Sequence, residues 1–292
     1  MSDASVERTS HRILANGIDH AVHEWSTPAA GATALLLHGF ADAGGTWEPV
    51  ACELARGGLR VLAPDLRGFG ESGRVPEGGY YHFPDYVADV ASLLGVACPE
   101  GPLFVVGHSM GGSIATLFTG AFPERVTRLA LLEGLGPPSG ELGSMPDRIR
   151  LWIEQLGKVR RDGARAGMSV ADALRRLAAN HPTIDRAILE RRLPYLVRDL
   201  GKGSVEWRFD PLHKTTGPTP FFAEGYMACA RRVSCPVLHI SGGAGGFHPP
   251  DEETRLEAFP HLERNVLEGA GHMMHWTRPL EVSEALLRFW RS

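Results

Sequence analysis

Leu103-Phe104-Val105-Val106-Gly107-His108-Ser109-Met110-Gly111-Gly112-Ser113-Ile114-Ala115-Thr116-Leu117-Phe118 is the stretch that decides the fold. Its four opening apolar residues suit a strand buried on both faces, and apolar residues recur at helical spacing from Gly112 to Phe122. A serine between strand and helix, in a G-x-S-x-G turn, has its hydroxyl lifted above the end of a sheet and open to a substrate. Glycine is expected at 107 and 111 because a side chain at either would collide where the turn forces strand and helix together. The five-residue string alone recurs by chance, so the flanking strand and helix carry the reading. Phosphate binding is disfavoured because the pattern G-x-x-x-x-G-K is absent.

Outward from this turn, short apolar runs alternate with amphipathic stretches. Ala34–Leu37, Arg60–Ala63 and Leu129–Leu132 read as buried strands, and Thr46–Arg56, Phe83–Val96 and Ser109–Phe122 as helices. Such alternation implies right-handed βαβ units and an α/β, doubly wound, mostly parallel sheet. An antiparallel pair, His11–Ala15 and Ile18–Glu24, is expected around the Asn16-Gly17 turn. Between Gly134 and Arg232 the pattern changes to helices without intervening strands: Ile149, Ile153, Leu156 and Val159 keep helical spacing, as do Val170, Leu174 and Leu177. Pro236–Ile240 and a run around Asn265–Leu267 then resume the sheet, and Pro279–Trp290 closes it with a helix. The expected organisation is a core of residues 1–136 and 233–292 with a helical cap at 137–232.

Composition narrows the function classes. The chain has 292 residues, 43% hydrophobic and 22% charged, enough for a full-sized core, and its net charge of −4 argues against nucleic-acid binding. No run approaches the roughly 18 apolar residues of a membrane span, and Met1–Arg12 does not read as a secretory signal. Cys52, Cys98, Cys229 and Cys235 form neither a dense disulfide set nor a C-x-x-C pair. A cytoplasmic protein, monomer or homodimer, with no metal, organic cofactor, nucleic-acid or membrane partner is the expectation. Residues 137–232 nevertheless hold 17 of the 30 Lys and Arg and only 11 of the 34 Asp and Glu. That excess either draws an anionic substrate such as a carboxylate or acyl-thioester, or reflects solvated helix faces and attraction to the acidic core.

An acyl-transfer site needs donors for the oxyanion that forms when a carbonyl is attacked. The backbone amides of Met110 and of Phe40, in the loop His38-Gly39-Phe40 after the strand Ala34–Leu37, are the expected donors; His38 itself reads as a loop-fixing residue.

His38-Gly39, Pro64-Asp65-Leu66-Arg67-Gly68-Phe69-Gly70-Glu71-Ser72, the turn around Ser109 and Gly271-His272, in that order, resemble the α/β-hydrolase fold superfamily over nearly the whole chain. The resemblance implies an eight-stranded sheet, Ser109 as nucleophile and His272 as base, with Asp65 and Arg67 stabilising their loop. In most relatives an acid follows the strand matching Pro236–Ile240, but here that place is Gly245 in Ser241-Gly242-Gly243-Ala244-Gly245-Gly246-Phe247. Glu133, at the end of the strand after the nucleophile's helix, is the expected substitute, since some members of the fold place their acid there. Asp251 and Asp210 are the alternatives. The run Trp207-Arg208-Phe209-Asp210-Pro211-Leu212-His213-Lys214 makes the chain look similar to the serine-hydrolase-like branch.

A serine, rather than an aspartate, at the apex implies acyl transfer rather than epoxide opening or halide displacement. The leading expectation is therefore hydrolysis of a carboxylic ester or related acyl bond in a small-molecule substrate. C–C bond hydrolysis would use the same serine and base, Gly245 motivates a ligand receptor or pseudoenzyme, and cofactor-free oxygenase or lyase chemistry is a further alternative. His108, Trp152, Phe221 and Phe222 are the substrate-pocket candidates. His275 is read as a surface or packing residue.

Overall fold

Residues 5–28, 30–162 and 167–292 are described in a computed structural model of the chain. Its elements are β1 (Glu7–Ala15), β2 (Ile18–Ser26), β3 (Ala32–Leu37), α1 (Glu48–Arg56), β4 (Leu59–Pro64), α2 (Phe83–Ala97), β5 (Leu103–His108), α3 (Met110–Ala121) and β6 (Arg128–Leu132). Next come α4 (Met145–Asp162), β7 (Met168–Ser169), α5 (Val170–Asn180), α6 (Arg186–Leu196), β8 (Val197–Gly201), β9 (Ser204–Trp207) and α7 (Ala223–Ala230). The chain ends with β10 (Val237–Ser241), α8 (Glu252–Leu256), β11 (Leu262–Val266), α9 (Met274–Thr277) and α10 (Pro279–Arg291).

Eight strands form one sheet in the order β1-β2-β4-β3-β5-β6-β10-β11. The first pair is antiparallel in the register Ala15 opposite Ile18, turning through Asn16 and Gly17 at φ 47° and 74°, the left-handed pair a two-residue hairpin requires. From β4 to β11 every neighbour is parallel, and these strands are near-continuous apolar runs because helices cover both faces. On one face Val90, Leu93, Leu94, Ile114 and Phe118 of α2 and α3 are buried, and on the other Val50, Leu54, Val282, Leu286 and Phe289 of α1 and α10. Each such side chain, fully buried, contributes roughly 1.5–3 kcal/mol of transfer free energy.

The segment between β6 and β10 differs from the helices-only expectation. Besides α4, α5, α6 and α7 it contains a small sheet in the order β7-β9-β8. β8 and β9 turn through Gly201, Lys202 and Gly203, all at positive φ. The two glycines were a hairpin signal obscured by the charged residues Arg198, Asp199 and Glu206 and the short length of these strands. Leu174, Leu177, Leu189, Leu193 and Leu196 pack with Ala43, Met273 and Trp276, so the segment rests on the loops that follow β3 and β11.

Among the described residues no helix is long and apolar enough to cross a membrane. Parallel pairing of β3, β5, β6 and β10 places residues 38–42, 109, 133 and 242–247 along the same sheet edge, where the strands' carboxyl ends open a crevice.

Candidate active site

Ser109 stands between β5 and α3 at φ 52°, ψ −118°, a conformation that costs a non-glycine residue on the order of 1–3 kcal/mol. Its amide donates to the Leu132 carbonyl at 3.0 Å, and its carbonyl accepts from Gly112 at 2.9 Å. Close packing makes the flanking glycines obligatory: a Cβ at Gly107 would lie 2.4 Å from the Gly111 carbonyl oxygen, and one at Gly111 2.2 Å from that of Leu37. Glu133 at φ 49° and Ala41 at φ 57° are also left-handed. Of the five non-glycine residues at positive φ among the described residues, these three lie at the crevice, while Asn16 and Lys202 turn hairpins.

Glu133 is 2% exposed. Its Oε2 accepts from His272 Nδ1 at 2.6 Å and from the Phe247 amide at 2.7 Å, and Oε1 accepts from the Gly242 amide at 2.7 Å. Burial alone would raise its pKa, but the hydrogen bonds from His272, Gly242 and Phe247 outweigh that effect and hold the carboxyl below the ordinary glutamate value. An anion here fixes His272 with its proton on Nδ1 and leaves Nε2 free to accept another.

The glycine run now has a physical account. A Cβ at Gly246 would fall 1.9 Å from Glu133 Oε1, and one at Gly242 2.3 Å from the Gly271 carbonyl oxygen, whereas Gly245 faces nothing closer than 3.8 Å. Residues 242–247 therefore wrap the carboxylate of Glu133. Gly246→Ala is expected to displace that carboxylate and lower kcat by on the order of tenfold to a hundredfold, measured as ester turnover of folded protein; unchanged turnover would show that the wrap is loose.

The alternative acids are engaged elsewhere. Asp251 pairs with Arg255 at 2.7 Å. Asp210 accepts from the Leu212 amide and from Tyr81 Oη, both at 2.9 Å. His213, in the same run as Asp210, is stacked on Tyr81 and bonded to Tyr86, and burial pulls its pKa down to about 4.

Two backbone amides are open at this edge: among the described residues neither Phe40 nor Met110 donates its N–H to any partner. Met110 opens α3, so the helix dipole adds positive potential there. His38 accepts from the Leu66 amide at its Nε2, 2.9 Å away, which leaves its Nδ1 proton for the Gly39 carbonyl at 2.8 Å. Asp65 accepts from the amides of Gly44 and Glu71, and Arg67 pairs with the buried Asp89. All three hold loops.

The pocket candidates are spread out. His108 is buried, hydrogen-bonds through Nε2 to the His272 carbonyl at 2.9 Å and packs against His272 and His275, so it props the His272 loop from below. Trp152 packs edge-on against Tyr80, Phe221 against Arg255 and Tyr226, and Phe222 precedes α7. Phe247, not singled out from sequence, lies 5.8 Å from the His272 ring and is 40% exposed. His275 is completely buried rather than at the surface, with Nε2 3.0 Å from Asp42 Oδ2 and its ring over Trp47. Among the described residues, Asp42, His108 and His275 form the cluster with metal-ligand spacing, one atom of each lying within 4.8 Å of the others, and the Asp42–His275 hydrogen bond already spans part of it.

Residues 35–279 match the family described as alpha/beta hydrolase fold. A serine hydrolase-like protein of Dictyostelium discoideum is 26% identical over 290 residues, covering 94% of this chain and 79% of its own length. Another, from Danio rerio, is 31% identical over 181 residues, 61% of this chain and 55% of that one. A hypothetical protein from Pseudomonas aeruginosa PAO1 superposes with a TM-score of 0.84 at 27% identity, covering 97% of this chain and 99% of the other.

Proposed function

The chain belongs to the α/β hydrolase fold family, and from that premise we propose that it is a serine hydrolase cleaving a carboxylic ester or related acyl bond through an acyl-enzyme on Ser109. The observation that carries this reading is the buried Glu133 carboxylate 2.6 Å from His272 Nδ1. With Nδ1 so engaged, His272 Nε2 takes the Ser109 proton as Oγ attacks the acyl carbon, and the charged imidazolium is stabilised by Glu133. Oxygen of the former carbonyl becomes an oxyanion and is met by the amides of Phe40 and Met110, each such donor supplying about 3–4 kcal/mol in the transition state. His272 then gives its proton to the leaving group. Water, deprotonated by the same nitrogen, attacks the acyl-enzyme and releases the acid and free Ser109.

Residues 137–232 act as a cap that selects the substrate, a role supported by their packing on Ala43, Met273 and Trp276 beside the catalytic loops. A ligand receptor without turnover drew its motive from Gly245. Glu133, just after β6 and hydrogen-bonded to His272, favours the enzyme reading over it.

A fluorophosphonate probe tests the activated serine. Labelling of the wild-type chain that disappears in Ser109→Ala and in His272→Ala is the expected result, and folded wild-type protein that resists the probe refutes the mechanism.

A further inference from the structure

We propose that Arg192, on α6, binds a carboxylate of the substrate, so that the hydrolase acts on acyl compounds bearing a free carboxylate near the scissile bond. The inference rests on the reading above for the reaction, but on different residues for the recognition.

Arg192 is 5% exposed, and its Nε has no hydrogen-bond partner. Among the described residues its guanidinium also forms no ion pair. Among the described residues the two other buried arginines each have an ionic partner: Arg67 pairs with Asp89, and Arg255, although its Nε too has no hydrogen-bond partner, pairs with Asp251 and donates to the carbonyls of Leu135, Gly136 and Pro137. Taking a cation out of water without a contact partner is costly, so Arg192 leaves a place for an anion that the protein itself does not fill.

That place adjoins the chemistry. α6 lies on residues 44–47, immediately after the loop that carries the Phe40 amide, so tightly that a Cβ at Gly45 would sit 2.3 Å from the Tyr195 ring. Leu189 and Leu193, on either side of Arg192 in the helix, pack with Ala43 and Met273. The positive charge of Arg192 is felt at Asp42 and at His275, three residues beyond His272. The carboxylates whose charge reaches Arg192 are Asp42 and Glu48, and neither is within ion-pair distance of it: Asp42 accepts from the Ala43 amide, Thr46 Oγ1 and His275 Nε2, and Glu48 from Arg8 and Tyr195. A planar guanidinium with open donors matches a carboxylate in charge and in its forked geometry, whereas a phosphate dianion calls for further donors.

Mono-p-nitrophenyl glutarate and p-nitrophenyl pentanoate, of similar length but ending in a carboxylate and in an uncharged methyl group respectively, test this directly. The wild-type chain is expected to favour the glutarate ester at least tenfold in kcat/KM. Arg192→Gln should cut that ratio about 30-fold, and Arg192→Lys, keeping the charge, should retain part of it. A wild-type ratio near one, or a ratio that Arg192→Gln leaves intact while both esters slow together, overturns the proposal and leaves Arg192 a structural residue. Should neither ester turn over and the fluorophosphonate fail to label Ser109, the hydrolase reading falls by itself. Glutarate then decides on Arg192: a glutarate-dependent rise in melting temperature, present in the wild-type chain and lost in Arg192→Gln, supports it, and no rise in the wild type refutes it.

Discussion

Glu133→Gln is expected to lower kcat by about 10⁴, the loss typical when a triad histidine is given the wrong tautomer. Both carboxylate oxygens of Glu133 accept hydrogen bonds, Oε1 from Gly242 and Oε2 from Phe247 and His272. Glutamine offers only one acceptor oxygen. If that oxygen stays beside His272, its NH₂ group points at the Gly242 amide, and two donors face each other in a buried site. If the amide turns over, NH₂ faces His272 Nδ1, which must then give up its proton and carry it on Nε2, where it blocks general-base attack. Either outcome removes the buried negative charge that stabilises the imidazolium. Asp251→Asn and Asp210→Asn, engaged with Arg255 and Tyr81, should keep turnover within a fewfold of the wild type. Ester hydrolysis by the three purified variants checks this ranking, and a folded Glu133→Gln protein with wild-type turnover would exclude Glu133 from the mechanism.

The sheet and the serine turn were legible because they rest on local rules: apolar runs bounded by glycine, a helical period after Gly112, and an Asn-Gly hairpin. The place of Glu133 beside His272 was legible by topology, since one helix and one strand after Ser109 return the chain to the neighbouring strand end. Less could be read where the determining neighbour is remote in sequence. The meaning of Gly242 and Gly246 depends on a carboxylate over a hundred positions earlier, and nothing local distinguishes a glycine that cradles an anion from one that lost an acid. Asp42 and His275 meet across 233 positions, and a lone histidine in a loop carries no sign of its partner. Arg192 was hidden in a different way. It was one of many arginines between 137 and 232, and only burial without an ion pair sets it apart.

Gly111→Ala is expected to destabilise the protein by about 3 kcal/mol, at the upper end for one added methyl group in a packed interior. The added Cβ would stand 2.2 Å from Leu37 O, 2.6 Å from Leu37 C and 2.7 Å from His38 O. All three are backbone atoms at the end of β3, so no side chain can swing aside. Relief requires either α3 to move away from β3 or the loop carrying the Phe40 amide to shift. The first loses helix packing on the sheet, and the second opens the oxyanion site, so stability and probe labelling of Ser109 should fall together. Gly95→Ala provides the contrast. It lies in α2, faces solvent, and has nothing within 4 Å of an added Cβ, so alanine should stabilise by about 0.5–1 kcal/mol through helix propensity. Thermal and urea denaturation of both variants measure the difference, expected as a drop of roughly 6–10 °C for Gly111→Ala and a small rise for Gly95→Ala. Equal melting temperatures in the two variants would mean that α3 and β3 are not in the close contact that fixes Ser109 above the sheet.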